Sequence, residues 1–309
     1  MKILIVGGTG MIGGTAALHL RSLGHDITLA ARKPAPVGTP MASMPLLVGD
    51  YTSQTFTKAD LATFDAIVFA AGNDIRHATA DQQTEDFWRK TQSEGVPAFA
   101  ALARSAGVRR FVQLGSYYHH LRPEIALTNP YVRARQLADE RARALACDDF
   151  NICTLNPPSI VGALPGLIAP RYVTLAAWGK GLRPDLPATA PPGGTNYMSA
   201  RSLAQAIAGA LDHATPGTAY LVGDENLSFR DFFQLFFDLS GTPVQVETVD
   251  ANNPMLPDAF IVQGRGNLMA YTTDPVETAR LGYGQGDIRR AVAEVLTLVE
   301  NAEQRTDHA

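Results

Sequence analysis

Apolar residues fall in short blocks separated by longer stretches of helical period, and this alternation runs through the first half of the chain. The blocks predict strands at Lys2–Val6, Asp26–Ala31, Pro45–Val48, Ala66–Ala70, Arg110–Leu114 and Asn151–Leu155. Between them the spacing predicts helices over Met11–Ser22, roughly Asp81–Ala106, and Pro130–Ala146, the first closed by Gly24 and the second by Gly107. Such strand–helix–strand alternation builds a parallel sheet covered on both faces. After Leu155 the prolines and glycines at 157, 158, 165, 166, 170, 184, 187 and 191–194 interrupt the pattern, and a long irregular covering segment is expected there. Regular structure is expected again as a helix at Ser202–Leu211, a strand at Ala219–Val222, a helix at Phe229–Leu239, a strand at Val244–Val249 and a last helix at Asp287–Asn301. The polar tail Glu303–Ala309 is expected to fray.

The first strand runs into Gly7-Gly8-Thr9-Gly10-Met11-Ile12-Gly13, with glycines at the spacing G-x-x-G-x-x-G before a helix pattern. Glycine suits a tight exit from the strand, a backbone that a pyrophosphate can approach, and close packing of the next helix, whose positive end then faces the phosphates. Gly7, Thr9, Gly10, Met11, Ile12 and Gly13 are therefore candidate contacts to a dinucleotide, and the fold class is α/β, a Rossmann-type doubly wound parallel sheet with a smaller C-terminal α/β lobe for substrate. The boundaries read as 1–162 for the nucleotide-binding domain, with 196–222 returning to it, and 163–195 plus 223–309 for the lobe.

The second strand ends in Ala31-Arg32-Lys33, where an NAD-binding chain would offer a carboxylate to the adenosine ribose. Arg32 and Lys33 suit a 2′-phosphate instead, which favours NADP over NAD; the plain alternative is a solvated basic loop. Asp50 closes the third strand and could accept from the adenine amino group or simply cap the next turn. Ala70, Ala71 and Gly72 end the fourth strand with side chains small enough for the cofactor to lie against the backbone.

Strand five ends at Ser116, on the edge where open α/β sheets bind ligands. In Asn129-Pro130-Tyr131-Val132-Arg133-Ala134-Arg135, Asn129 reads as an N-cap and Pro130 as the first helical residue, so Tyr131 and Arg135 share one helix face. A tyrosine beside a fixed cation is a candidate acid, and the serine could hold the substrate oxygen. The plain alternative is a half-buried aromatic beside a surface charge. Tyr118 and Arg122 repeat the spacing in a stretch read as irregular.

These segments together resemble the short-chain dehydrogenase/reductase superfamily, in its extended, epimerase/dehydratase-like branch. The resemblance covers nearly the whole chain and includes Leu155–Gly162, Tyr220–Ser228 and Arg280–Tyr283. It implies that Tyr131 is the general acid/base, that Ser116 steadies a substrate carbonyl, and that Pro157 and Ser159 lie beside the nicotinamide. A lysine four residues after the tyrosine holds the nicotinamide ribose in that family; here Arg135 stands in its place, and Gln92 stands where an asparagine is usual three residues before Gly95. The activity implied is hydride transfer between NADPH and a carbonyl or alcohol. A nucleotide-sugar epimerase or dehydratase, and a non-catalytic NADP-sensing protein, are the alternatives. Family analogy also suggests a homodimer.

Composition narrows the partners. With 46% apolar and 18% charged residues in 309, the chain has the balance of a folded, soluble protein, and a cytoplasmic location is expected. A net charge of −4 without a dense basic patch disfavours nucleic acid, and no segment has the length of a membrane span. Cys147 and Cys153 are the only cysteines, no Cys/His cluster forms around them, and no metal site is expected. For the substrate, the mostly apolar segment 163–196 suits a small or medium carbonyl compound; His77, Tyr118, His119, Arg171 and Trp178 are the residues expected to face it.

Overall fold

The computed structural model describes residues 1–306 except 73, 76, 77, 80 and 82, with the backbone alone at 305 and 306. Two compact units divide it. The first comprises Met1–Pro157, Arg201–Val222 and Thr273–Gly284, and the second Pro158–Ala200, Gly223–Thr272 and Gln285–Ala309. The divide at Pro157 lies five residues before the boundary drawn at 162, and Thr273–Gly284 packs with the first unit.

The first unit is built on seven parallel strands. They include β1 (Lys2–Val6), β2 (Asp26–Ala31), β3 (Leu46–Val48), β4 (Ala66–Phe69), β5 (Arg110–Leu114) and β6 (Asn151–Asn156), and the seventh, Ala219–Leu221, lies beyond β6. The spatial order is β3, β2, β1, β4, β5, β6, Ala219–Leu221, so the winding reverses between β1 and β4. Helix-covered parallel strands are apolar throughout, and Ile3, Leu4, Ile5, Ala66, Ile67 and Val68 are all fully buried. On one face Phe69, Phe99, Phe111 and Phe150 form a chain of ring contacts under the helices Gly95–Ser105 and Pro130–Arg143.

Steric contact fixes the crossing of the chain at the reversal. Gly7 has φ +82°, and a Cβ there would stand 2.7 Å from Ala71 N, so the turn after β1 touches the end of β4 only because both partners are bare backbone. A Cβ on Gly13 would stand 2.3 Å from Gly7 O, which seats the helix Met11–Ser22 directly on that turn.

The expected helix over 81–106 is in fact three pieces, an α turn Glu85–Trp88, a π-helical turn Arg89–Ser93, and an α-helix Gly95–Ser105. The backbone N–H of Glu94 donates to Arg89 O, five residues back, and Gly95 has no room for a side chain because Lys90 O would lie 2.0 Å from its Cβ. Pro97 then falls in the first turn of the following helix, where its missing N–H costs nothing.

In the second unit, Gly194–Ser199 pairs antiparallel with Glu225–Ser228 and, along its other edge, in parallel with Ser159–Val161 and Leu268–Met269. The segment expected to be irregular contains the helix Pro170–Gly179, with Pro170 at its first position rather than breaking it. Conversely, Val244–Val249 forms a ladder only at Glu247–Thr248. Gln234 accepts from Val246 N and Arg230 donates to Val246 O, so side chains of a neighbouring helix take the bonds a strand partner would have made. The last helix runs Ile288–Thr306, past the expected fraying point. No helix among the described residues is long and apolar enough to cross a membrane.

The contact at Gly13 makes a direct test. Gly13→Ala should destabilise the fold by about 1–3 kcal/mol, the usual range for overpacking a tight site, and lower the melting temperature accordingly; an unchanged melt would show that the turn yields.

Candidate active site

At the carboxyl ends of β1 and β4 the chain forms a cradle of backbone. Gly10 is the N-cap of the helix Met11–Ser22, and no side chain caps that helix. Its φ of −86° suits any residue, and a Cβ there would meet only Gly7 O, at 3.4 Å. Nothing inside the protein therefore demands glycine at 10. The helix start that it caps is left without a side-chain cap, the kind of terminus that suits a phosphate. Thr9, Met11 and Ile12 are half-buried around the same turn.

Arg32 and Lys33, after β2, are both exposed, and neither takes part in an ion pair among the described residues. Asp50 is the N-cap of a 3-10 turn, where its Oδ1 accepts from Thr52 N at 2.9 Å and Thr52 Oγ1 at 2.7 Å. The capping role is thus real, and only Oδ2 is left for an adenine. The neighbouring Tyr51 lies edge-on to Phe69, and its hydroxyl donates to Thr91 O in the π turn. Burial pushes the Tyr51 phenol well above its usual range, against the pull of Arg135.

The catalytic candidates meet through Arg135. Asn129 caps the helix Pro130–Arg143, accepting from Tyr131 N at 3.0 Å and Val132 N at 3.2 Å, and so places Tyr131 in the first turn and Arg135 one turn later. The guanidinium of Arg135 does not extend freely. Its Nη2 donates to Leu114 O at 3.1 Å and to Gly115 O, and its Nη1 donates to Gln92 Oε1 at 3.1 Å. One fork thus joins the catalytic helix, the end of β5 and the π turn. Nη1 also borders Gly72, where a Cβ would stand 2.9 Å away. Ser116, the next residue after these carbonyls, is buried and donates its N–H to Asn156 Oδ1 at 2.9 Å. Asn156 in turn excludes a side chain from Gly115, whose Cβ would be 2.0 Å from Oδ1.

Tyr131 is 4% exposed, with its ring against Trp88 at 4.9 Å. Its hydroxyl donates to Asp74 Oδ2 at 3.4 Å. Gln92, Trp88, Asn156 and Asp74 are the functional neighbours the sequence reading gave no contact. Asp74 lies 57 positions from Tyr131 in the chain and carries no spacing signal. Gly95 and Pro97 are the residues that could have signalled the break that turns Gln92 inward, but the expected helix ran across them.

The expected substrate contacts fare unevenly. His77 lies outside the described residues. Tyr118 begins a short helix, Tyr118–Leu121, not an irregular stretch; its ring meets that of Tyr117 at 4.4 Å, and burial, with Tyr117, Tyr131 and Asp74 near, holds its phenol well above the usual range. His119 is not a free loop histidine, because it is buried with Nε2 3.2 Å from Asp139 Oδ2. Burial lowers its pKa. Asp139 is ionised well below the ordinary carboxylate range: burial opposes this, but hydrogen bonds from His119, His120 and Arg143 outweigh it. Trp178 is corrected to a core residue of the second unit, 2% exposed, edge-on to Phe233 and Phe237, with its indole N–H on Leu186 O. Arg171 is exposed over the Tyr172 ring. Pro157 is buried at the end of the first unit, and Ser159 opens a strand of the second.

The family model for the NAD dependent epimerase/dehydratase family matches residues 3–223. Among solved structures, gox2253 superposes with a TM-score of 0.76 at 18% identity, over 97% of this chain and 98% of that one. MoeE5 in complex with UDP-glucose and NAD gives 0.73 at 17%, over 98% and 100%. The UDP-glucose-4-epimerase from Stenotrophomonas maltophila with bound NAD and formylated UDP-arabinopyranose gives 0.72 at 16%, over 99% and 99%. At such identities the likeness is one of fold. No curated protein matches the chain significantly.

The cradle separates two roles for glycine. Gly10→Ala should cost only about 1 kcal/mol of stability, the difference between glycine and alanine as an N-cap, yet weaken dinucleotide binding tenfold or more in a fluorescence titration; unimpaired binding would move the phosphates elsewhere.

Proposed function

Because the chain belongs to the NAD dependent epimerase/dehydratase family, we propose that it is an NADP-dependent reductase or dehydrogenase acting on a small carbonyl or alcohol. The cradle at Gly7, Gly10 and Gly13 fits a dinucleotide pyrophosphate, and the exposed Arg32 and Lys33 fit the 2′-phosphate that distinguishes NADP. When bound, the nicotinamide supplies or accepts the hydride. The chain's own residues supply the proton and the positioning.

The observation that carries the reductive reading is the hydrogen bond from the Tyr131 hydroxyl to Asp74. A carboxylate that accepts from a phenol favours the protonated phenol, and Arg135, held by Leu114, Gly115 and Gln92 one turn along the same helix, keeps its positive charge for the phenolate left once the proton has gone. Tyr131 therefore rests with its proton in place, the form that reduction of a carbonyl draws on. Ser116, its backbone fixed by Asn156, offers a hydroxyl to the same oxygen. Arg135 acts as a positioning residue: it locks the helix that carries Tyr131 to the strand end that carries Ser116.

A second reading has its own support. The family name covers epimerases and dehydratases, and two of the structural neighbours hold NAD with nucleotide sugars. Such an enzyme would retain its cofactor through purification and show no net change in reduced nicotinamide, whereas the reductase consumes NADPH in proportion to substrate.

Two variants test the reductive reading. Tyr131→Phe should lower turnover by about 10²–10⁴-fold, the usual worth of a positioned acid, with NADPH affinity unchanged, as followed by NADPH consumption across a carbonyl panel; undiminished turnover would sink the mechanism. Arg32→Ala should weaken NADPH by roughly tenfold, near 1.4 kcal/mol, and leave NADH untouched. Equal losses for both cofactors in parallel titrations would remove Arg32 from the phosphate.

A further inference from the structure

Away from the cradle, one buried cluster of titratable side chains has no part in the proposed reaction. Asp139 stands one turn beyond Arg135 on the helix Pro130–Arg143, with its side chain wholly inaccessible. Its Oδ2 lies 3.2 Å from His119 Nε2 and 3.3 Å from His120 Nε2, and these consecutive histidines sit on the turn Tyr118–Leu121. Oδ1 takes Arg143 Nε at 2.6 Å, with Arg143 Nη2 at 3.3 Å from Oδ2, and Arg143 Nη1 continues to Gly217 O. The three candidate ligand atoms all fall within 4.8 Å of one another.

We propose that His119 Nε2, His120 Nε2 and Asp139 Oδ2 bind one divalent transition-metal ion of the zinc and cobalt class. Bonds of about 2.0–2.1 Å in a tetrahedral site put neighbouring ligand atoms roughly 3.3 Å apart, and Oδ2 stands at that separation from both nitrogens. Two imidazoles and one carboxylate oxygen suit such an ion, whereas magnesium and calcium call for six or more oxygens. Arg143, close on Oδ1 at 2.6 Å and longer on Oδ2 at 3.3 Å, is the outer partner that orients the carboxylate towards the histidines. The His120 side chain is 27% exposed, which gives the ion an entry and a water the fourth position. Bound there, the ion would clamp the turn behind Ser116 to the helix that carries Tyr131 and Arg135. The spacing of His119, His120 and Asp139 in the sequence matches no ligand signature, so the site is visible only once the turn and helix are packed together.

The test uses the full-length chain stripped by a chelator and titrated with Co²⁺ while the visible absorption is followed. One Co²⁺ per chain at micromolar concentration is expected, with a tetrahedral spectrum and displacement by Zn²⁺. His120→Ala, at a partly exposed position, should weaken Co²⁺ at least tenfold and abolish the rise in melting temperature that Zn²⁺ gives the wild type; Asp139→Asn should do the same, each variant being read where circular dichroism shows it folded. A wild type that takes up no stoichiometric ion would make the cluster a closed hydrogen-bonded network with Arg143. Wild-type affinity in His120→Ala would place the ion at other histidines, and either result overturns the proposal.

Discussion

The backbone contact between the turn after β1 and the end of β4 governs the first unit, because it exists only where Cβ atoms are missing. Gly7 is packed against Ala71 N, and Gly13 against Gly7 O, at distances no side chain permits. Those contacts set the start of the helix Met11–Ser22 over the strand-order reversal. They also fix the direction in which Ala70, Ala71 and Gly72 leave β4. Gly72 then borders Arg135, and Arg135 holds the carbonyls just before Ser116. A steric rule at two glycines thus propagates by contact to the serine.

Arg135 and Gln92 are best understood as one change. A lysine ammonium is a compact charge on a flexible stem, while a guanidinium presents donors in a rigid plane. Here the plane spans two carbonyls on one side and a glutamine oxygen on the other, so the longer amide of Gln92 meets a longer, forked cation. The π turn makes the match possible by turning Gln92 inward, where it is 1% exposed. With those donors committed to the protein, the guanidinium anchors structure. The carboxylate of Asp74 accepts from the Tyr131 hydroxyl.

How much of this was legible beforehand depended on whether neighbours in space were also neighbours in sequence. Strands β1, β2 and β5 end where their apolar runs end, since each run is closed by glycine or charge and each strand is buried on both faces. The N-cap at Asn129 was equally plain, for the cap, the proline and the tyrosine are consecutive. The pattern at Val244–Val249 misled because alternation reports a half-buried extended chain without saying what takes its hydrogen bonds; Gln234 and Arg230 do. Trp178 misled for a related reason. An aromatic in a proline-rich stretch looks like a pocket wall, but Pro170 starts a helix whose inner face needs filling. Asp74 and Asp139 gave no signal at all, because their partners come from distant segments.

The face of the helix Pro130–Arg143 that carries Tyr131, Arg135, Asp139 and Arg143 at successive turns is costly for a helix packed on a sheet. Burying such charges gains little over apolar residues of the same size, so stability alone is a poor reason for the stripe. Its value lies in direction. Each charged group holds a different fixed point: Arg135 the end of β5, Asp139 the turn at His119 and His120, and Arg143 the carbonyl of Gly217. An apolar stripe could slide along the sheet with modest loss, whereas each of these hydrogen bonds fails within a fraction of an ångström. The stripe therefore fixes the helix's register against the sheet, and the register is what places the Tyr131 hydroxyl.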